Sequence, residues 1–209
     1  MTKAGILLSG CGMYDGTEVA EAVLAALSLE RAGARVIWLA PDAPQMHTVD
    51  HLTGSEVEGE QRVIMAEAAR LARGKVRSLA EQWPGELAAL VIPGGHGAVK
   101  NLMTNFAILG APREPIAPVR DLLADLAGRR APIGSISLGR AVVSAYFNEP
   151  LSGDEMQMPA ADIQVDEERR LVFTPGFLTG AALPDVATGI ERLVRALLNL
   201  PARELHVIH

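Results

Sequence analysis

The chain has 209 residues, 49 % of them hydrophobic, which supplies a substantial core for one α/β domain. Its 19 Lys and Arg against 25 Asp and Glu give a net charge of −6 with no basic stripe. That balance argues against a nucleic-acid surface, and no apolar stretch is long enough to span a bilayer.

In chain order, "AGILLS" (4–9) is predicted as the first strand. "TEVAEAVLAALSLERAGA" (17–34) follows as a helix, with Val19, Ala22, Val23, Ala26 and Leu27 at helical spacing and Gly33 as its stop. "RVIWLAP" (35–41) is the second strand, and a polar loop around 45–59 leads to a helix over 60–73. A short strand falls near "KVRSL", and "LAALVIPGG" (87–95) is a strand running into a glycine-rich turn. A helix over 115–128 starts with proline in its first turn. "APIGSISLGRA" (131–141) reads as a buried strand, then Ser137, then a helix opening at Leu138. "DIQVDEERRLVFTPG" (162–176) alternates like a hairpin. The closing helix over 184–200 carries Val186, Ile190, Leu193, Val194 and Leu197 on one face. Met103, Phe106 and Leu109 are assigned to the core by default. Strands alternating with amphipathic helices specify a mostly parallel sheet covered on both faces, in one domain spanning 1–209.

In such a fold, ligands bind beyond the carboxyl ends of the strands. The loops leaving those ends carry Cys11, Asp15, Glu18, His47, His51, His96, Lys100 and Ser137. Ser135, Ser137 and Gly139 approximate a G-x-S-x-G nucleophile elbow, whose small residues allow a strained turn that exposes the nucleophile. Serine is also among the best helix N-caps, and the motif alone leaves both roles open. His96 in "PGGHG" is either a general base or a solvated loop histidine. Asp15 and Glu18 have the spacing of a helix cap and its reciprocal partner; Glu18 is otherwise a carboxylate at the mouth of the first strand, shifted toward its protonated form. The five histidines and one cysteine show no zinc spacing, His206 and His209 belong to the terminal tail, and no metal is expected. Cys11 excludes an internal disulfide and is read as a small residue packed at a crowded turn. A reducing compartment and a weak signal-peptide pattern lead to the expectation of a cytoplasmic protein.

The combination "SGCGMYDGTE", "HTVDHLTG" and "PGGHGAVKNL", with "DIQVDEERRLVFTP" and "GIERLV", resembles the PfpI-type, class I glutamine-amidotransferase-like superfamily, most closely its ElbB branch. The resemblance covers most of the chain. It implies a flavodoxin-like three-layer sandwich, a homodimer, a small-molecule carbonyl substrate, no cofactor, and no nucleic-acid or membrane partner. Members resembling ElbB are credited with glyoxalase activity that converts 2-oxoaldehydes into 2-hydroxy acids. Matched to that pattern, Ser137 takes the place of the nucleophilic cysteine and Glu18 that of the glutamate beside it. Gly10, Cys11, Asp15, His51, Gly94, Gly95, Lys100, Asn101 and Leu138 are expected around the ligand, with N–H groups near Gly95 and Leu138 facing an oxyanion.

The chain departs from the branch in three places. Its elbow reads Ser137-Leu138-Gly139-Arg140 where relatives carry Cys-Ile-Ala-Pro, the stretch over 142–159 is shorter, and His96 replaces an apolar residue. Three functions follow as alternatives. One is a glyoxalase-like carbonyl enzyme with serine at the elbow, another a non-catalytic binding or regulatory descendant, and the third a serine-dependent hydrolase or lyase in which His96 activates Ser137.

Overall fold

The structure is a computed structural model that describes residues 1–81, 85–109, 111–150, 153–155 and 157–200. His206 and His209 lie outside the described residues, as do three positions of the shortened stretch.

Among the described residues, nine strands and six helices follow one another as β1 (Lys3–Leu7), α1 (Val19–Arg31), β2 (Arg35–Ala40), β3 (Val49–Asp50), β4 (Ser55–Glu56), α2 (Ile64–Leu71), β5 (Val76–Ser78), β6 (Ala89–Ile92), α3 (His96–Asn101), α4 (Ala117–Gly128), β7 (Ile133–Ile136), α5 (Gly139–Phe147), β8 (Gln164–Asp166), β9 (Leu171–Thr174) and α6 (Leu183–Asn199). Seven strands form one sheet in the order β5-β2-β1-β6-β7-β9-β8. Every pairing in it is parallel except β8 with β9, which form the expected hairpin. β6, β7 and β9 are buried along their whole length, as strands covered on both faces must be, and this explains their mainly apolar character, with only Ser135 and Thr174 polar. The flavodoxin-like sandwich expected from the sequence is the fold observed.

Two cores flank the sheet. Ala22, Ala25 and Leu29 of α1, Ile64 and Ala68 of α2, and Ile190, Leu193 and Leu197 of α6 fill one side. Ala98 and Leu102 from α3 and its end, Val119, Leu123 and Leu126 of α4, and Val142 and Val143 of α5 fill the other. Each fully buried Leu or Ile contributes roughly 1.5–3 kcal/mol. All five α6 positions expected on one apolar face are buried.

α1 is rotated from its expected orientation. Its buried residues are Glu21, Ala22, Ala25 and Leu29, while Val19, Val23 and Leu27 are exposed. Alanines at the contact let the helix lie close to the sheet; the larger aliphatic side chains face outward. Leu109 is fully exposed and Phe106 half-buried, so only Met103 of that trio belongs to the core. The polar loop over 45–59 contains the β3–β4 hairpin, and the turn after β6 continues into α3; neither was expected.

The chain runs from β1 outward to β2 and β5, then returns on the other side of β1 with β6. The carboxyl ends of β1 and β6 therefore form the switch point, with β7 next to it.

Candidate active site at the strand-to-helix elbow

Ser137 occupies the single residue between β7 and the Leu138 N-cap of α5. Its N–H still bonds to the Thr174 carbonyl at 3.0 Å, but its φ is +53°, a left-handed conformation for a residue with a Cβ. Such a conformation costs on the order of 1–3 kcal/mol and persists only where neighbouring structure enforces it. The N-cap of α5 is Leu138, with no side-chain capping bond, so the capping role open to Ser137 is not the one it plays. The sequence APIGSISLGRA makes a strained elbow.

The carboxylate that meets the elbow is Glu21, not Glu18. Glu21 sits in the first turn of α1, 0 % exposed, with Oε2 accepting the Gly94 N–H at 2.8 Å and Oε1 accepting the Phe177 N–H at 3.1 Å. Two glycines make room for it. A Cβ on Gly94 would stand 2.6 Å from Ser137 Cβ, 2.7 Å from Ser137 Oγ and 2.9 Å from Glu21 Oε2, so serine and carboxyl are close neighbours across Gly94. A Cβ on Gly176 would collide with Glu21 Oε1. Burial pushes the Glu21 carboxyl up from 4.5 to about 8; the N–H donors of Phe177 and Gly94 oppose that shift, and the negative Glu18 nearby adds to it. At neutral pH Glu21 is mostly a neutral acid.

Glu18 is the N-cap of α1. Its Oε2 accepts the Glu21 N–H at 2.6 Å, and its own N–H donates to the Gly94 carbonyl at 2.9 Å. The sequence places two glutamates one turn apart, and the helix directs the second inward. The signal that marked Glu21 was an acid inside the otherwise apolar run VAEAVLAAL; the larger Val and Leu side chains drew the predicted core face elsewhere.

His96 does not reach Ser137. It begins α3, is exposed, places Nδ1 3.1 Å from the Met13 carbonyl and stacks on Tyr14 with ring centroids 6.1 Å apart. Among the described residues Ser137 Oγ has no hydrogen bond to an imidazole, so the expected serine–histidine pair is absent.

The other expected binding residues hold the β1–α1 loop in place. Asn101 Nδ2 donates to the Ser9 and Asp15 carbonyls at 2.8 Å each, and its Oδ1 accepts from Met46 N at 3.0 Å. Lys100 Nζ bonds the Tyr14 carbonyl at 2.9 Å. Asp15 does not cap α1; its Oδ2 accepts the Val49 N–H at 2.8 Å, while Oδ1 lies 3.8 Å from His51 Nε2. His51 Nε2 accepts the Tyr14 N–H at 3.2 Å and Nδ1 faces the Val49 carbonyl at 3.1 Å. His47 lies 3.9 Å from Glu56. Cys11, between Gly10 and Gly12, is half-buried, and burial followed by the charge of Glu67 pushes its thiol up, away from thiolate reactivity. The N–H groups of Gly95 and Leu138, expected at an oxyanion, adjoin Gly94 and Ser137 in sequence and bond to no acceptor among the described residues. Those residues contain no group of three His, Cys, Asp or Glu placed to hold a metal.

Ser137 is 6 % exposed, so the elbow side chain is buried. A groove of about 520 Å³ lies elsewhere, lined by Leu39, Leu79, Leu87, Pro118 and Leu122; it contains none of these groups.

A parallel sheet with a strained residue between β7 and α5, facing a buried glutamate from α1, defines a class I glutamine-amidotransferase-like architecture. No family model matches the chain. It is 34 % identical over 226 aligned positions to the mitochondrial ES1 protein homolog of Rattus norvegicus, covering 96 % of this chain and 85 % of the relative. The mitochondrial glutamine amidotransferase-like class 1 domain-containing protein 3 of Homo sapiens matches at 34 % identity over 96 % of this chain and 84 % of its own. Among solved structures, an isoprenoid biosynthesis protein with an amidotransferase-like domain from Ehrlichia chaffeensis superposes with a TM-score of 0.86 at 28 % identity, covering 94 % of this chain and 99 % of that one. A ThiJ/PfpI domain protein from Brachyspira murdochii, 11 % identical with a TM-score of 0.55 over 96 % and 98 % of the two chains, shares the fold. The chain belongs to the ElbB- and ES1-like branch of the class I glutamine-amidotransferase-like family. No helix among the described residues is long and apolar enough to cross a membrane.

Proposed function

We propose that the protein is a small-molecule carbonyl enzyme of the glyoxalase type, converting a 2-oxoaldehyde to a 2-hydroxy acid with Ser137 as nucleophile and Glu21 as the proton carrier. The observation that carries this reading is the shared space at Gly94, where the hydroxyl and the carboxyl border the same point. A carboxyl with a pKa of about 8 exchanges protons readily near neutrality, as a general acid–base group must.

The reaction needs no external oxidant. Ser137 Oγ adds to the aldehyde carbon, and its proton passes through ionised Glu21 to the new oxyanion, which the N–H groups of Gly95 and Leu138 steady. Glu21 then takes the hydrogen of that carbon as a proton and delivers it to the former ketone carbon, while the hemiacetal hydroxyl proton moves to the neighbouring oxygen. The aldehyde carbon ends as a serine ester, the ketone carbon as an alcohol, and water releases the hydroxy acid. About a tenth of Glu21 is ionised at pH 7, so the rate rises toward pH 8.

The hydrolase reading loses its base, because His96 is committed to Met13 and Tyr14. The test is turnover of methylglyoxal by the parent, S137A and E21Q. Measurable turnover that both substitutions abolish supports the proposal. Absence of turnover by the parent and by S137C alike, with ligand-dependent thermal stabilisation, favours a binding descendant.

A further inference from the structure

The connection from β5 to β6 leaves an opening in the layer that covers the sheet. β5 is the edge strand and β6 lies three places inward, so the chain recrosses β2 and β1 between Ser78 and Ala89. A parallel crossover ordinarily takes about a dozen or more residues and carries a helix. This one has residues 79–88, and its described residues form none. The groove of about 520 Å³ runs between this crossover and α4, which cover the same face. Leu39 of β2 and Leu87, both core residues, form its floor. Leu79 and Ala80 stand on one side, Pro118 and Leu122 of α4 on the other. Arg129 Nη1 donates to the Leu87 carbonyl at 3.1 Å and ties the end of α4 to the crossover. The walls are thereby held in place around a volume within the roughly 300–1,000 Å³ of small-molecule sites.

The charged residues of the groove are all of one sign. Glu81 stands on the crossover side, with Asp121 and Asp125 on the α4 side, one turn apart on the helix face that carries Pro118 and Leu122. Among the described residues, no lysine, arginine or histidine lines it. Two of the carboxylates are paired: Glu81 Oε2 lies 3.1 Å from Arg77 Nε, and Asp125 Oδ2 lies 2.7 Å from Arg129 Nη2. Asp121 differs. Its side chain is 75 % exposed, and Arg120 Nε is 3.8 Å away, outside hydrogen-bond range.

We infer that the groove is a binding site for a small primary ammonium compound with an apolar body, the ammonium at Asp121 and the body along Leu79, Pro118 and Leu122. The body removes leucine and proline surface from water, and the ammonium brings charged N–H donors to the carboxylate. An anionic amphiphile of the same shape would meet three carboxylates, and a neutral one would bring Asp121 no counter-charge. The net charge of −6 also favours the approach of a cation. Neither Ser137 nor Glu21 lines the groove, so this site is separate from the chemistry proposed for the elbow.

The experiment is calorimetric titration of the full chain near neutral pH with octylammonium, octanol and octanoate, which share one alkyl chain and differ in charge. Saturable binding of octylammonium is expected, about tenfold or more tighter than octanol, with octanoate the weakest. Asp121 is exposed, so D121K keeps the fold, checked by circular dichroism. That variant is expected to weaken octylammonium by about tenfold or more while octanol stays within about twofold of the parent. Absence of saturable octylammonium binding to the parent overturns the inference. So do equal affinities for all three, which describe an apolar surface without charge selection, and a preference for octanoate, which makes the occupant an anion. Unchanged octylammonium binding by D121K overturns it too, because the cation then sits elsewhere, beside Glu21 for example. None of these readouts depends on methylglyoxal turnover, so failure of this site and failure of the proposed chemistry are distinguishable.

Discussion

Replacing Glu21 with glutamine removes a titration that the fold must carry. The Glu21 carboxyl is held at about 8 against an ordinary value of 4.5, so between those two values the folded chain binds a proton that the unfolded chain does not. Stability from this group is complete below pH 4.5, falls as pH rises through the window, and levels off above 8. At about 1.4 kcal/mol per pH unit, the full displacement corresponds to about 5 kcal/mol, and the part between pH 5 and 8 to about 4 kcal/mol. E21Q has no such slope, although the amide NH₂ it introduces must face either the Gly94 or the Phe177 N–H, a pH-independent penalty of about 1–3 kcal/mol. Urea denaturation of parent and E21Q at intervals from pH 5 to 9 isolates the effect, since other titrating groups cancel in the difference. The parent's advantage is expected to shrink by about 4 kcal/mol across that range. A difference that stays constant from pH 5 to 9 refutes the reasoning, because Glu21 would then titrate alike in the folded and unfolded chain.

The remaining expectations separate structural from chemical roles. S137G relieves the left-handed strain, so its Tm should equal or slightly exceed the parent's while methylglyoxal turnover is lost. E18A should lower stability by about 1 kcal/mol through loss of the α1 cap, without the collapse of turnover expected for E21Q. E18Q keeps the capping oxygen but removes a charge that raises Glu21, so the pH–rate profile should shift to lower pH. H96A should leave kcat/KM within a few-fold of the parent, because the imidazole serves the Met13 loop and not Ser137.

The strands and the elbow were legible because their signals are local. β6, β7 and β9 are short apolar runs bounded by turns, and Ser135-Ile136-Ser137-Leu138-Gly139 has the small residues that an elbow needs. α6 was legible because its large aliphatic residues are the buried ones. α1 misled because size and burial point to opposite faces. Alanines fit the close approach to the sheet, Glu21 is inserted between Gly94 and Gly176, and the valines and Leu27 remain outside. Glu18 and Glu21 could not be told apart by spacing, since three residues along a helix change only which side of the turn is presented. The orientation of His96 was equally unreadable: it depends on a carbonyl of Met13 and a ring of Tyr14, more than eighty residues earlier in the chain.

The central claim, that the elbow side chain and the Glu21 carboxyl form one site, is tested most directly by the alkylation rate of S137C with iodoacetamide as a function of pH, with and without E21A. A thiol at the start of α5 beside a neutral carboxyl donor is expected to ionise at or below about pH 7.5, and E21A should move that midpoint up by about one unit or more. Identical profiles in the two backgrounds, or a thiol that reacts only on unfolding, would contradict the account.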